Sequence, residues 1–366
     1  MMEPLSIALV HPFIWPEVRR GGERYIDDLA WYLSRAGHRV DLIAGSTSAP
    51  LVASNRHIRR VRYPRIERLN SRGITEVDTF ALGAFPALLR RYDVVHAFTP
   101  AAALAARAAR RRTVYTLLGH PRPEIFGSTF QRRLTGSAVR HANVVAALSA
   151  ASARQTEATF GRTTEVLPPG VRLDRFEPAL AARSGPPQIL FPAAALPQKG
   201  LDLLVRALDV LLDRMPDARL VIGGPGDPSW AFTAAGERSP RLRAAIDVLG
   251  PGTPDDVPAR YRAATATVLP SRDDAFGLVL VESLACGTPA VCCDAGGMPE
   301  ILDDPAVGHV APYGNPVALA DAIERTVGLA RAQGTPARCR EHARGWDWIE
   351  SVGPRHEATY QRLVSV

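Results

Sequence analysis

The sequence predicts an α/β protein built from two doubly wound domains in series. Its 366 residues exceed one ordinary α/β core and suit about two domains of ~180 residues. Short apolar runs alternate with amphipathic stretches, which implies parallel sheets covered on both faces. The turn-rich break Ser184-Gly185-Pro186-Pro187 interrupts the alternation, which then restarts.

In the first half, strands are expected at Ser6–Val10, Arg39–Ala44, Asp93–His96, Thr113–Leu117, Asn143–Ala147 and Thr164–Leu167. Helices Gly22–Ala36, Thr75–Arg90 and Ala101–Arg110 fall between them. After the break, strands are expected at Gln188–Phe191, Ala218–Gly223, Ala266–Leu269 and Pro289–Cys293. The helices there are Gly200–Arg214, Gly277–Cys286 and Pro316–Gly328, and the tail Trp346–Val366 reads as amphipathic helix. The expected domains are residues 1–183 and 188–345. Ligands of such sheets bind at the carboxyl ends of strands, so the expected site is a cleft between two such edges.

Composition removes several function classes. The net charge is +7, but the basic runs are short and lack interleaved aromatics, so no nucleic-acid partner is expected. Cys286, Cys292, Cys293 and Cys339 show neither disulfide nor zinc spacing. No basic segment and long apolar run precede the first strand, and no run of ~18 apolar residues exists. A cytoplasmic protein is expected, with peripheral membrane contact left open.

Three motifs follow strands. The stretch Val10–Glu23 runs from strand through loop to Gly21-Gly22, where bare N–H groups at a helix start can approach an anion. Lys199 is the only lysine; the other 43 of 44 basic residues are arginine. It stands after a strand and before a helix, where a compact ammonium would meet a phosphate. The segment Pro270–Glu300 places Asp274 in a loop and Glu282 eight residues later, inside a helix. Two carboxylates so placed can accept paired hydroxyls of a sugar and a ribose. Between them, N–H groups near Gly277 and Leu278 can meet a phosphate.

These residues together resemble the family-4 retaining glycosyltransferases of the two-Rossmann GT-B architecture. The resemblance covers nearly the whole chain, including Gly21-Gly22, Pro169–Phe176, Lys199-Gly200 and Pro270–Glu300. It implies that the N-terminal domain receives an acceptor, that the C-terminal domain grips a nucleotide diphosphate sugar, and that helix 346–366 crosses back. It further implies that Glu282 bonds the ribose and Asp274 the donor sugar. Phe276, Gly277 and Leu278 would offer backbone contacts, and Lys199 would neutralise the diphosphate with Gly22 capping it. The loop through Gly252 and Thr253 would meet the nucleobase, and His120 is the candidate active-site histidine.

Two departures from the family pattern stand out. The family usually has Arg five residues before the lysine; here it is Ala194, a loss worth roughly 1.5–3 kcal/mol unless Arg272, Arg19 or Arg20 replaces it. Asp274 stands where the family has Glu, one methylene shorter. The expected reaction is same-face transfer to a small-molecule acceptor with no metal or other cofactor. An arginine-rich chain with altered donor positions fits specialised-metabolite (antibiotic) assembly, with lipid and polysaccharide acceptors as alternatives. The competing readings are a nucleotide-sugar epimerase of the same fold and a non-catalytic sugar-nucleotide-binding protein.

Overall fold

The computed structural model describes residues 3–45, 57–64, 70, 73–121, 126–179, 181–234 and 240–365, so the Met1-Met2 start lies outside it. The chain divides into Met1–Gly170 with Trp348–Val366 (unit 1) and Val171–Asp347 (unit 2).

Unit 1 runs β1 (Ser6–Val10), α1 (Gly21–Arg35), β2 (Arg39–Gly45), β3 (His57–Val61), α2 (Glu76–Leu88), β4 (Val94–Ala97), α3 (Pro100–Ala108), β5 (Thr113–Leu117), α4 (Thr129–His141), β6 (Val144–Ala147), α5 (Ala150–Phe160) and β7 (Glu165–Val166). The strands form one parallel sheet in the order β3-β2-β1-β4-β5-β6-β7. Strand order reverses direction between β1 and β4, the switch point at whose carboxyl ends ligands of such sheets bind. Helix starts are chemically marked. Thr99 and Ser149 accept the Ala102 and Ser152 N–H groups at 3.3 and 3.1 Å, satisfying donors that α3 and α5 would leave orphaned. The alanine-rich face of α3 packs closely on the sheet, burying Ala102, Ala103 and Ala106 beside Val95 and Tyr115.

Unit 2 runs β8 (Gln188–Phe191), α6 (Leu201–Arg214), β9 (Arg219–Ile222), α7 (Ser229–Ala234), α8 (Pro240–Ala244), β10 (Ile246–Val248), α9 (Asp256–Ala263), β11 (Ala266–Leu269), α10 (Leu278–Ala285), β12 (Ala290–Cys293), β13 (Gly308–Ala311), α11 (Pro316–Arg331) and α12 (Thr335–Ala343). Its parallel sheet has the order β10-β9-β8-β11-β12-β13, with the switch between β8 and β11. Helix α6 buries Leu204, Val205, Leu208, Leu211 and Leu212 along one stripe, each contributing roughly 1.5–3 kcal/mol. All four cysteines are buried, and burial pushes the Cys286, Cys293 and Cys339 thiols up to about 12.

The division falls at Gly170–Val171 rather than at the Pro-rich break. Arginines of unit 2 hold the intervening segment. Arg340 donates to the carbonyls of Phe176 and Leu173, and Arg183 donates to the Ala264 carbonyl and the Thr288 hydroxyl. Ser184–Pro187 is therefore a turn within unit 2. The chain returns to unit 1 through a π-helical turn, Trp348–Val352, and helix α13 (Gly353–Ser365). Buried polar contacts fasten α13 there. Tyr25 Oη lies 2.8 Å from His356 Nε2, Tyr360 Oη 2.6 Å from His96 Nδ1, and Tyr32 donates to Glu357 at 3.0 Å.

Candidate functional site

In unit 2 the loops leaving β8 and β11 meet at the switch point. After β8 the chain makes a 3₁₀ turn, Pro197–Lys199, and Gly200 closes it at φ 72°. A Cβ on Gly200 would lie 2.1 Å from the Pro270 carbonyl oxygen, so only glycine lets the two loops come this close. The Arg272 N–H and the Ser271 hydroxyl both donate to the Gln198 carbonyl at 2.9 Å. These bonds seat Lys199 over the loop from β11, and its Nζ lies 2.5 Å from Asp274 Oδ2. Both side chains are part-exposed, so the pair faces an accessible edge. Exposed Arg272 belongs to the same loop, five residues before Gly277.

Helix α10 begins here. Gly277, at φ 101°, is its N-cap, and Phe276 ahead of it is buried. The first N–H groups of α10 and its positive dipole end therefore lie beside Lys199 and Asp274. Glu282 stands in the second turn of α10, only 3 % exposed, and accepts a hydrogen bond from Tyr261 of α9 at 2.8 Å. The loop ahead of α9 is tightly tied. Thr253 N and Oγ1 donate to Asp256 at 2.8 and 2.7 Å, and these bonds hold the Asp256 carboxyl below its usual range. A Cβ on Gly252 would lie 2.9 Å from the Arg260 guanidinium, which itself donates to the Gly223 and Gly250 carbonyls.

Unit 1 gathers a second set at the carboxyl edge of its own sheet. Gly21 and Gly22 open α1, and a Cβ on Gly22 would lie 3.1 Å from Leu118 Cδ1. The start of α1 therefore adjoins the loop that carries His120. That histidine is buried, with Nδ1 3.2 Å from Ser152 Oγ in the first turn of α5. Arg20 is committed to Glu23 at 2.8 Å.

Within unit 2, then, Lys199, Arg272, Asp274, Phe276, Gly277 and Leu278 come together, with Glu282 below and Gly252–Thr253 on the β10–α9 loop. Gly21, Gly22 and His120 come together within unit 1. The sequence reading missed three supporting residues. Tyr261 and Arg260 lie on α9, whose short polar sequence carried no helix signal. His11, directly after β1, has Nδ1 2.8 Å from the Phe13 carbonyl, and burial lowers its pKa. Its place after the first strand was the available signal. Among the described residues no cluster of His, Cys, Asp or Glu could hold a metal ion.

Comparison with known proteins gives two adjoining family matches. Residues 19–175 match "Glycosyltransferase Family 4" and residues 174–346 match "Glycosyl transferases group 1". A D-inositol 3-phosphate glycosyltransferase from Streptomyces bingchenggensis is 37 % identical over 202 residues, covering 50 % of this chain and 44 % of that protein. The chain thus spans about half the length of curated relatives it matches. Sucrose-phosphate synthase from Thermosynechococcus elongatus shares the fold at TM-score 0.82 and 21 % identity, covering 98 % of this chain and 99 % of that one. Anabaena HepE, solved with UDP and glucose, does so at TM-score 0.78 and 21 % identity, covering 99 % and 100 %.

Proposed function

Because the chain belongs to the family-4 glycosyltransferases of GT-B architecture, we propose that it transfers a glycosyl group from a nucleotide diphosphate sugar to a small-molecule hydroxyl with retention at the anomeric carbon. The observation that carries this reading is the juxtaposition of Lys199, Asp274 and the α10 N-terminus at one switch point. An ammonium and a helix N-terminus suit a diphosphate, and a neighbouring carboxylate suits the hydroxyls of its sugar. Glu282, oriented by Tyr261, is assigned to the ribose, and the Gly250–Thr253 loop to the nucleobase. Arg272 is assigned the cationic role that Ala194 has lost.

In the proposed step the bond from the anomeric carbon to the diphosphate oxygen breaks. The bond to the acceptor oxygen forms on the same face, and the acceptor's proton passes to the departing diphosphate. Lys199 and the α10 N–H groups stabilise the charge that develops there, so no metal is required. Gly21 and Gly22 keep their assignment to the donor diphosphate, and His120 is assigned as the active-site histidine. A cytoplasmic setting and a role in specialised-metabolite assembly belong to the same proposal. No helix among the described residues is long and apolar enough to cross a membrane.

Thermal-shift screening against UDP, GDP, ADP and TDP identifies the donor, because a bound nucleotide raises stability by mass action. The HepE and inositol-phosphate relatives make UDP-sugars and D-inositol 3-phosphate the first substrates to try. Product NMR should show retained anomeric configuration, formed equally well in EDTA. Inversion, or a strict need for Mg²⁺ or Mn²⁺, refutes the mechanism. Conversion of donor without any acceptor identifies an epimerase instead.

A further inference from the structure

Between Asp93 and Glu157 lie nine arginines and one acid, Glu124, a net charge of +8. The whole chain carries +7, so everything outside this stretch sums to −1. A one-signed block inside an otherwise balanced chain points to a partner of opposite sign.

The fold gathers five of those nine arginines, Arg107, Arg110–Arg112 and Arg140, at one edge of the sheet, together with Arg90 and Arg91 just ahead of the stretch. Strands β4, β5 and β6 are adjacent and parallel, and arginines stand directly ahead of each. Arg90 and Arg91 precede β4, Arg110–Arg112 precede β5, and Arg140 precedes β6. Two arginines join these turns into one rim. Arg111 donates to the Leu88 and Leu89 carbonyls at the end of α2, at 3.0 and 2.9 Å. Arg107 donates to the Arg111 carbonyl and to Asn143 Oδ1, at 3.0 and 2.9 Å. Arg90, Arg91, Arg110, Arg112 and Arg140 are exposed, and among the described residues none has an acidic partner. Asp93, the acid on this rim, accepts the Ser6 N–H at 2.7 Å.

A second feature adjoins the rim. Leu82 and Leu89, seven residues apart and so on one face of α2, are 66 % and 56 % exposed. Exposed Pro86 lies between them. A single exposed leucine needs no explanation. An apolar stripe running into a cluster of arginines matches a surface that lies against anionic headgroups, with leucines entering the acyl boundary and guanidinium groups at the phosphates. The aliphatic character of the stripe disfavours single-stranded nucleic acid, which needs aromatic stacking platforms. The rim is the amino edge of the sheet, opposite the carboxyl edge that holds Gly21, Gly22 and His120.

We propose that this amino edge, from the α2 leucines through the arginines ahead of β4, β5 and β6, docks peripherally on an anionic phospholipid surface, leaving the carboxyl edge of unit 1 uncovered.

The test is co-sedimentation of the full chain with phosphatidylglycerol-rich vesicles against pure phosphatidylcholine. Binding is expected only to the anionic vesicles and should fall as salt is raised. At about fivefold per arginine, R90Q/R110Q/R112Q/R140Q should lower partitioning by about 600-fold. The matching Arg→Lys quadruple should restore most of it. L82S/L89S should also weaken binding, at unchanged charge. Wild-type melting temperatures in the variants separate lost docking from lost folding. Failure to bind anionic vesicles, equal binding to neutral ones, or wild-type partitioning by either the glutamine or the serine variant overturns the proposal. So does duplex nucleic acid that displaces the protein from vesicles at matched phosphate concentration.

Discussion

Replacing Gly200 by alanine tests whether the placement of Lys199, and not merely its charge, is what the site depends on. Gly200 sits at φ 72°, a conformation that costs a side-chain-bearing residue about 1–2 kcal/mol. The added Cβ would also stand 2.1 Å from the Pro270 carbonyl oxygen, whereas real Cβ atoms do not come under 3.0 Å. The loops must therefore separate by at least the 0.9 Å difference between those two distances. That movement stretches the two bonds to the Gln198 carbonyl, now 2.9 Å each, and draws Lys199 away from Asp274. Misplacement of about 1 Å can cost ~100-fold in rate. Gly334→Ala is the matched control. Gly334 has φ 85°, nothing lies within 4 Å of its would-be Cβ, and it caps α12 away from the site. Gly334→Ala should lose the ~1–2 kcal/mol of backbone strain alone, a few degrees in melting temperature, and Gly200→Ala that amount plus the cost of parting the loops. Only Gly200→Ala should lose about 100-fold in kcat/KM and show weakened nucleotide binding by calorimetry. Wild-type kcat/KM in Gly200→Ala, or equal losses in both variants, would refute the reasoning.

Further predictions concern the same residues and the core beneath α13. Lys199→Ala and Glu282→Ala should each cut transfer at least ~100-fold through loss of charge-assisted contacts; near-wild-type rates in both would sink the site assignment. Tyr261→Phe removes the donor that orients Glu282, so the donor KM should rise several-fold with little change in kcat, whereas a fall in kcat alone would contradict that role. Burial holds His356 neutral in the folded chain, with a pKa lowered from 6.5 to about 4. The unfolded chain binds that proton at higher pH, so the contribution is complete above 6.5 and is lost as pH falls toward 4, about 3 kcal/mol in all. Buried His96, also held well below its ordinary value by burial, acts in the same direction. Melting temperature should therefore drop steeply across that window; a flat profile would contradict a neutral, buried His356.

Much of the architecture was legible because buried parallel strands are continuous apolar runs. Ser6–Val10, Thr113–Leu117, Gln188–Phe191 and Ala266–Leu269 are strands over those very residues. The strands that escaped, β3, β10 and β13, each pair with a single neighbour at a sheet edge. Their sequences, HIRRV, IDV and GHVA, are short or polar because one flank is not covered. Lys199 could be singled out by its rarity, and Asp274 and Glu282 by their spacing within a recognisable segment. What each side chain touches was not readable, since those contacts join residues far apart in sequence. Tyr261 reaches Glu282 across 21 positions, and Lys199 reaches Asp274 across 75.

By itself, then, the sequence determined the α/β class, the two-unit plan and the family of the chain, because periodic burial and short motifs are local properties. Only the tertiary structure decided where the chain divides, that His356 and Tyr360 are what hold the returning helix α13 to unit 1, and that Gly200 presses against Pro270 to seat Lys199. It also decided that arginines spread over some fifty positions form one rim. Those are packing outcomes, set by which strands lie side by side, and no local pattern in the chain encodes them.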